Sequence, residues 1–214
     1  RQRQMCIRDR FNIKGVEKIR DVQRIAVEES RLGIPLIFGM DVIHGYETTF
    51  PIPLGLTATW DMEAVERAAR ISAVEASAAG ICWTFSPMVD IARDPRWGRT
   101  PETYGEDPHL TGTLGCAFVK GLQGNHPKYL KAVATPKHFA ANNEEHNRAH
   151  CNAVISERDL REYYLPSFEK CIVEGKAQSI MTAYNAVNGI PCTVNTYRVS
   201  YTHLRAHETV LDLV

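Results

Sequence analysis

Four short apolar runs recur along this chain, and each is preceded by a stretch with helical spacing. The runs are residues 34–40 (IPLIFGM), 81–91 (ICWTFSPMVDI), 130–140 (LKAVATPKHFA) and 178–185 (QSIMTAYN). The helical stretches are 15–32, 61–80, 109–124 and 156–176. Continuous apolar runs of this length suit strands buried on both faces, which is the condition of a parallel sheet. Strands alternating with helices imply an α/β fold with a mainly parallel sheet. Gly33 and Pro35 end the first helix, and Gly80 ends the Ala-rich second. Ser156 and Asp159 stand at capping-box spacing, and Pro166 predicts either a kink in the last helix or its true first turn. Four such units fit half of a (β/α)₈ barrel or a small doubly wound sheet. A GxGxxG or GxxxxGK[ST] phosphate loop would favour the second, and neither occurs.

The length of 214 residues suits one domain with tails. The 25 Lys and Arg balance the 25 Asp and Glu, so the chain lacks the basic footprint of a nucleic-acid binder. No apolar run is long enough to span a membrane as a helix. The six cysteines form no CxxC pair and stand at no zinc-finger spacing, so they read as scattered thiols.

Polar residues gather where each strand ends. Asp41 and His44 follow the first run, and Arg93, Asp94, Arg96, Trp97 and Arg99 follow the second. Lys137, His138 and the stretch from Asn142 to Arg148 follow the third, and Tyr184 and Asn185 the fourth. In a parallel barrel these ends share one rim, where barrel enzymes build their sites. Asp41, Arg93, Lys137, His138 and Tyr184 are therefore expected to converge. A concave site mixing carboxylate acceptors with Arg and Lys donors suits a neutral ligand rich in hydroxyls, each of which both donates and accepts.

Blander roles compete. Asp41 and Arg93 could form a structural ion pair. Arg96, Arg99, Glu102 and Asp107 read as a charge network that stiffens their loop. His146 and His150, at i and i+4, lack the H-E-x-x-H order and a third ligand, so a metal is not expected. His44 reads as a supporting histidine, Trp83 as core, and Trp97 as core or a sugar platform.

The chain resembles the N-terminal (β/α)₈-like domain of family 3 glycoside hydrolases, especially bacterial β-glucosidases, from about residue 13 to about residue 197. The carriers are Gly39-Met40-Asp41-Val42-Ile43-His44-Gly45, Arg93-Asp94-Pro95-Arg96-Trp97-Gly98-Arg99 with the following ETYGEDP, Lys137-His138-Phe139-Ala140-Ala141-Asn142-Asn143, Arg148, Met181 to Asn185, and Asn188-Gly189. The resemblance implies a partial TIM-like barrel of about four to five β/α units and a retaining, exo-acting β-glucosidase, with a β-xylosidase as the alternative. It places Asp41, Arg93, Lys137, His138, Arg148, Met181 and Tyr184 against the sugar and implies no cofactor. A lyase or aldolase barrel using Lys137 as a Schiff base, or a non-catalytic sugar-binding domain, are the readings outside this class.

The resemblance also implies what to look for and where. The family's nucleophile is an Asp in a Ser-Asp context on the next strand, one β/α step of ~30 residues beyond the Tyr184 strand. No Ser-Asp pair occurs in the sequence, and Asp212, near that position, sits in a Leu-Asp-Leu context that does not match. The loop FAANNEEHNRAH lacks the D-S-H pattern of members that carry the acid/base there. The chain therefore looks like the multidomain branch, whose acid/base Glu comes from a further C-terminal domain. Residues 1–12 and 198–214 read as sequence foreign to the family, joined to an incomplete domain. Half a barrel would expose two sheet edges and be marginally stable.

Overall fold

A computed structural model describes residues 9–11, 13–195 and 211–213. Residues 1–8, 12, 196–210 and 214, and with them most of the expected foreign ends, lie outside the described residues. The elements alternate as the apolar pattern predicts. Strand β1 (Asp9–Phe11) is followed by α1 (Val16–Arg24), β2 (Ile37–Met40), α2 (Pro53–Thr57), α3 (Met62–Ala78), β3 (Trp83–Thr84), α4 (Pro108–Gln123) and β4 (Lys137–Phe139). Then come β5 (Asn152–Ala153), α5 (Glu157–Asp159), α6 (Pro166–Val173), β6 (Ser179–Thr182), β7 (Ala186–Val187), β8 (Ile190–Pro191) and β9 (Leu211–Leu213).

The pairing order follows the chain. β1 pairs parallel with β2, and β2 with β3. Single parallel bridges join β3 to the segment before β4, Trp83 to Val133, and the segment after β3 to β4 itself, Met88 to Lys137. β4 then pairs parallel with β6, and β6 with β9, where Ile180 faces Asp212 across the backbone ladder. A doubly wound sheet reverses strand order at its switch point, and no reversal occurs along β1, β2, β3, β4, β6 and β9, while β5, β7 and β8 form a separate small sheet in which β7 and β8 run antiparallel.

Helix ends carry the chemistry their sequence predicts. Asp61 caps α3 by accepting from the Ala64 N–H at 2.9 Å, and Asp107 caps α4 through the Leu110 N–H at 2.6 Å. Ser156 accepts from the Asp159 N–H at 3.0 Å. The expected single helix over 156–176 is split. A turn of wider pitch over Leu160–Tyr164 follows α5, and Pro166 opens α6, where its missing N–H costs nothing. The first helix is shorter than its spacing predicts. It widens over Ile25–Glu29 and ends at Ser30, whose hydroxyl donates back to the Ala26 carbonyl.

The main core lies between the sheet and helices α3, α4 and α6. Val65, Ala69, Leu114, Phe118, Leu122, Phe139, Phe168 and Ile180 are buried together. Helix α4 approaches its neighbours closely through glycines. A Cβ on Gly121 would stand 2.4 Å from the Glu66 carbonyl oxygen, and one on Gly115 would stand 2.7 Å from Val89 Cγ1. Only a residue without a side chain fits at either point.

Tyr104, within ETYGEDP, is 1% exposed and packs edge-on to Phe118. Its hydroxyl has no hydrogen-bond partner, and burial pushes its pKa well above the ordinary value. A buried hydroxyl without a partner costs about 1–3 kcal/mol. Tyr104→Phe should therefore stabilise the chain by about 1 kcal/mol in urea unfolding. A comparable loss would mean that the hydroxyl does have a partner.

Candidate functional site

The strand ends bring Asp41 and Lys137 into contact. Asp41 follows β2, and Lys137 opens β4. Lys137 Nζ donates to Asp41 Oδ1 at 2.5 Å. The two side chains differ sharply in burial: that of Lys137 is 4% exposed and that of Asp41 is 60% exposed. The buried ammonium thus bonds one oxygen of an exposed carboxylate, whose second oxygen remains available as an acceptor. Two of the three Lys137 protons remain for other acceptors. Met181 pairs with Lys137 in the β4–β6 register and lies beside it.

His138 is buried next to Lys137. Its Nδ1 lies 2.8 Å from Asp90 Oδ2, and its backbone N–H donates to the same oxygen at 3.0 Å. Its Nε2 faces Arg99 Nη1 at 3.4 Å. Arg99 also grips Glu102 through two bonds, Nε to Oε1 at 2.8 Å and Nη2 to Oε2 at 2.9 Å. These bonds hold the Glu102 carboxyl below its ordinary range and so keep it ionised.

From Arg99 the cluster continues outward. Arg99 Nη1 lies 3.9 Å from Glu145 Oε2, and Arg148 donates to Glu145 Oε1 at 2.6 Å. The Arg148 guanidinium lies 5.2 Å from the centre of the Tyr184 ring, within cation–π range. Contacts therefore run from His138 through Arg99, Glu145 and Arg148 to Tyr184. Asn143 anchors the intervening loop by donating to the Ile91 carbonyl at 2.6 Å.

Arg93 is placed apart from this line. Its guanidinium lies 4.3 Å from the Tyr163 ring centre and 3.5 Å from the Tyr164 hydroxyl. Asp41 accordingly pairs with Lys137 and not with Arg93, so the structural pair considered from sequence does not form. The charge network expected around Arg96, Arg99, Glu102 and Asp107 divides into separate parts. Arg96 pairs with Asp94, Arg99 with Glu102, and Asp107 caps α4. The Arg96 side chain and backbone N–H both bond Asp94, lowering its carboxyl to about 2. That pair is exposed, so it adds little to stability.

Trp83 is core, and its indole N–H donates to Thr135 at 2.8 Å. Trp97 is buried too, with an edge on a neighbouring cavity. His44 lies 3.2 Å, through Nδ1, from the Phe50 carbonyl, in a supporting position. Among the described residues no three His, Cys, Asp or Glu side chains gather as metal ligands. A cavity of about 510 Å³ opens beside the outer part of the cluster, lined by Asp94, Arg96, Trp97, Asn143, Glu144 and Glu145, among others.

Asp90 was not among the candidates, although a signal existed. A carboxylate inside the run MVDIA must be buried, and a buried carboxylate needs a partner.

The Glycosyl hydrolase family 3 N terminal domain matches residues 7–207. The chain belongs to this family. It is 40% identical over 189 residues to the periplasmic β-glucosidase of Salmonella typhimurium, covering 87% of this chain and 25% of that protein. It is 37% identical over 197 residues to a β-xylosidase of Formosa agariphila, covering 85% of this chain and 27% of that protein. The crystal structure of a β-glucosidase from Listeria innocua in complex with glucose superposes with a TM-score of 0.86 at 39% identity, covering 96% of this chain and 29% of that one. This family 3 chain thus spans about a quarter of the length of the relatives it matches.

Proposed function

We propose that this family 3 chain is the glycone-binding part of a retaining, exo-acting β-glucosidase that removes terminal non-reducing β-D-glucosyl residues. The observation that carries this reading is the Lys137–Asp41 pair, a buried ammonium supporting an exposed carboxylate at the ends of two parallel strands. Such a pair offers donor and acceptor side by side, as a sugar hydroxyl requires. His138, Arg148 and Tyr184 extend the polar surface from that point, and Met181 lies beside Lys137. Arg93, seated against Tyr163 and Tyr164, belongs to the proposed set by the family resemblance and not by contact with this cluster. The sequential parallel order of the strands supports an arc of about four to five units of a (β/α)₈ barrel. Hydroxyl bonds that tighten as the ring approaches an oxocarbenium geometry lower the barrier to cleavage.

The nucleophile and the acid/base belong to segments outside this chain, the acid/base to a C-terminal domain. Asp41 is engaged by Lys137, and Glu145 by Arg148, so neither is placed as a free pair of carboxyls. The Schiff-base alternative fits poorly, because Lys137 Nζ is tied to a carboxylate where a lyase needs a free amine. A β-xylosidase remains the second reading, since relatives of similar identity carry both names.

The test is the specificity ratio of the full-length protein that contains this chain. A kcat/KM for an aryl β-glucoside at least tenfold above that for the aryl β-xyloside supports the first reading, and the reverse ratio supports the second. Activity on neither would refute both.

A further inference from the structure

From the geometry around His138 we infer that Asp90 is a positioning residue, which fixes this histidine as the neutral Nδ1–H tautomer and so presents Nε2 as a hydrogen-bond acceptor. Asp90 lies in the segment after β3, and its side chain is 1% exposed. Its Oδ2 receives two groups of the same residue, the His138 backbone N–H at 3.0 Å and the ring Nδ1 at 2.8 Å. An ionised carboxylate only accepts, so Nδ1 must carry the proton. On the other edge of the ring, Nε2 meets Arg99 Nη1 at 3.4 Å. A guanidinium only donates, so Nε2 must carry the lone pair. The two constraints are independent and agree on one tautomer.

The remaining neighbour, Asn142, fits this assignment in one of its two amide orientations. The Asn142 amide nitrogen lies 3.3 Å from Nδ1, the longer of the two contacts there; a nitrogen in that place can only donate, so the assigned tautomer requires the amide to be turned over, with its oxygen accepting from the Nδ1–H. Glu102 and Glu145 pair with Arg99, and Glu102 also interacts electrostatically with the His138 ring. Anchoring backbone and ring through one oxygen also fixes the ring plane. Asp90 Oδ1 is buried with no partner, so the carboxylate is committed to His138 and not to a wider network.

The catalytic consequence rests on the proposed glycone site. There Nε2 would accept from a sugar hydroxyl in exchange for its long contact with Arg99, and a flipped tautomer would set a donor against a donor. An assignment of the ring by nitrogen spectroscopy does not depend on that site being a glycosidase.

The experiment is long-range proton–nitrogen NMR of the ¹⁵N-labelled 214-residue chain, with His138 assigned through His138→Gln. The expected spectrum shows Nδ1 protonated and Nε2 unprotonated. Asp90→Asn should populate the Nε2–H form or average the two. An Nε2–H ring in the wild type, or an unchanged spectrum in Asp90→Asn, would overturn the inference. Should Asp90→Asn fail to fold, the wild-type spectrum decides alone. In the full-length protein, Asp90→Asn should lower kcat/KM by about tenfold or more. The same change should add little in a His138→Gln background, whereas independent, additive losses would contradict a role exerted through His138.

Discussion

Purified as the 214-residue chain, the protein is expected to release no aglycone from an aryl β-glucoside above background. Retaining hydrolysis needs two carboxyl groups about 5–5.5 Å apart, one to form the glycosyl-enzyme bond and one to protonate the leaving oxygen. The acidic residues near the proposed pocket have other partners. Asp41 holds Lys137, Asp90 holds His138, Glu102 holds Arg99, and Glu145 holds Arg148. Glu144 accepts the His146 N–H in an exposed loop. Positioning without a nucleophile cannot form the covalent intermediate. A mechanism-based 2-deoxy-2-fluoro-glucoside should accordingly leave the intact mass unchanged. Stoichiometric labelling would contradict the account, and mapping it to Asp212, whose backbone lies opposite Ile180 on β6, would identify the nucleophile within this chain.

Lys137→Ala in the full-length protein should reduce kcat/KM for the glucoside by about 10²-fold or more. A hydrogen bond from a charged donor contributes about 1.5–3 kcal/mol, and each ~1.4 kcal/mol is a factor of ten in rate. The Lys137 ammonium is buried and already oriented by Asp41, so little ordering is needed when a hydroxyl arrives. The substitution leaves Asp41 unpaired, but that carboxylate is well exposed and remains solvated. The loss should therefore appear mainly in activity. Lys137→Met keeps most of the stem volume and should lose as much activity with a smaller change in Tm. A loss confined to Tm, with activity retained by the folded fraction, would contradict a ligand-binding Lys137.

Much of the fold was legible because burial repeats at the helix and strand periods. Helix 61–80 appears as Met62–Ala78, capped by Asp61 and followed by Gly80 at φ 89°. The expected strands were longer than the observed ladders, since an apolar run reports burial and not pairing. Residues 81–91 pair as a ladder only at Trp83–Thr84, yet the segment stays buried up to Ile91. The apolar pattern does not mark the hairpin of β7 and β8, although Asn188 and Gly189, both at positive φ, are the residues a tight two-residue hairpin turn favours. At the site, clustering at strand ends anticipated the meeting of Asp41 and Lys137, which lie 96 positions apart in sequence. It could not anticipate Arg93, because a long side chain at a rim chooses its partners by packing, here the rings of Tyr163 and Tyr164. Asp90 was hidden by its apolar neighbours, which mark a strand more strongly than one carboxylate marks a site.

The central claim is that Lys137 and its neighbours hold sugar hydroxyls. The measurement that tests it most directly is a cycle between protein and substrate: kcat/KM of the full-length wild type and of Lys137→Ala on an aryl β-glucoside and on its monodeoxy analogues. If Lys137 binds a hydroxyl, one deoxy substrate loses activity with the wild type but loses little more with Lys137→Ala, giving a coupling of about tenfold or greater. If every deoxy substrate loses the same factor with both proteins, Lys137 touches no hydroxyl and the glycone assignment fails.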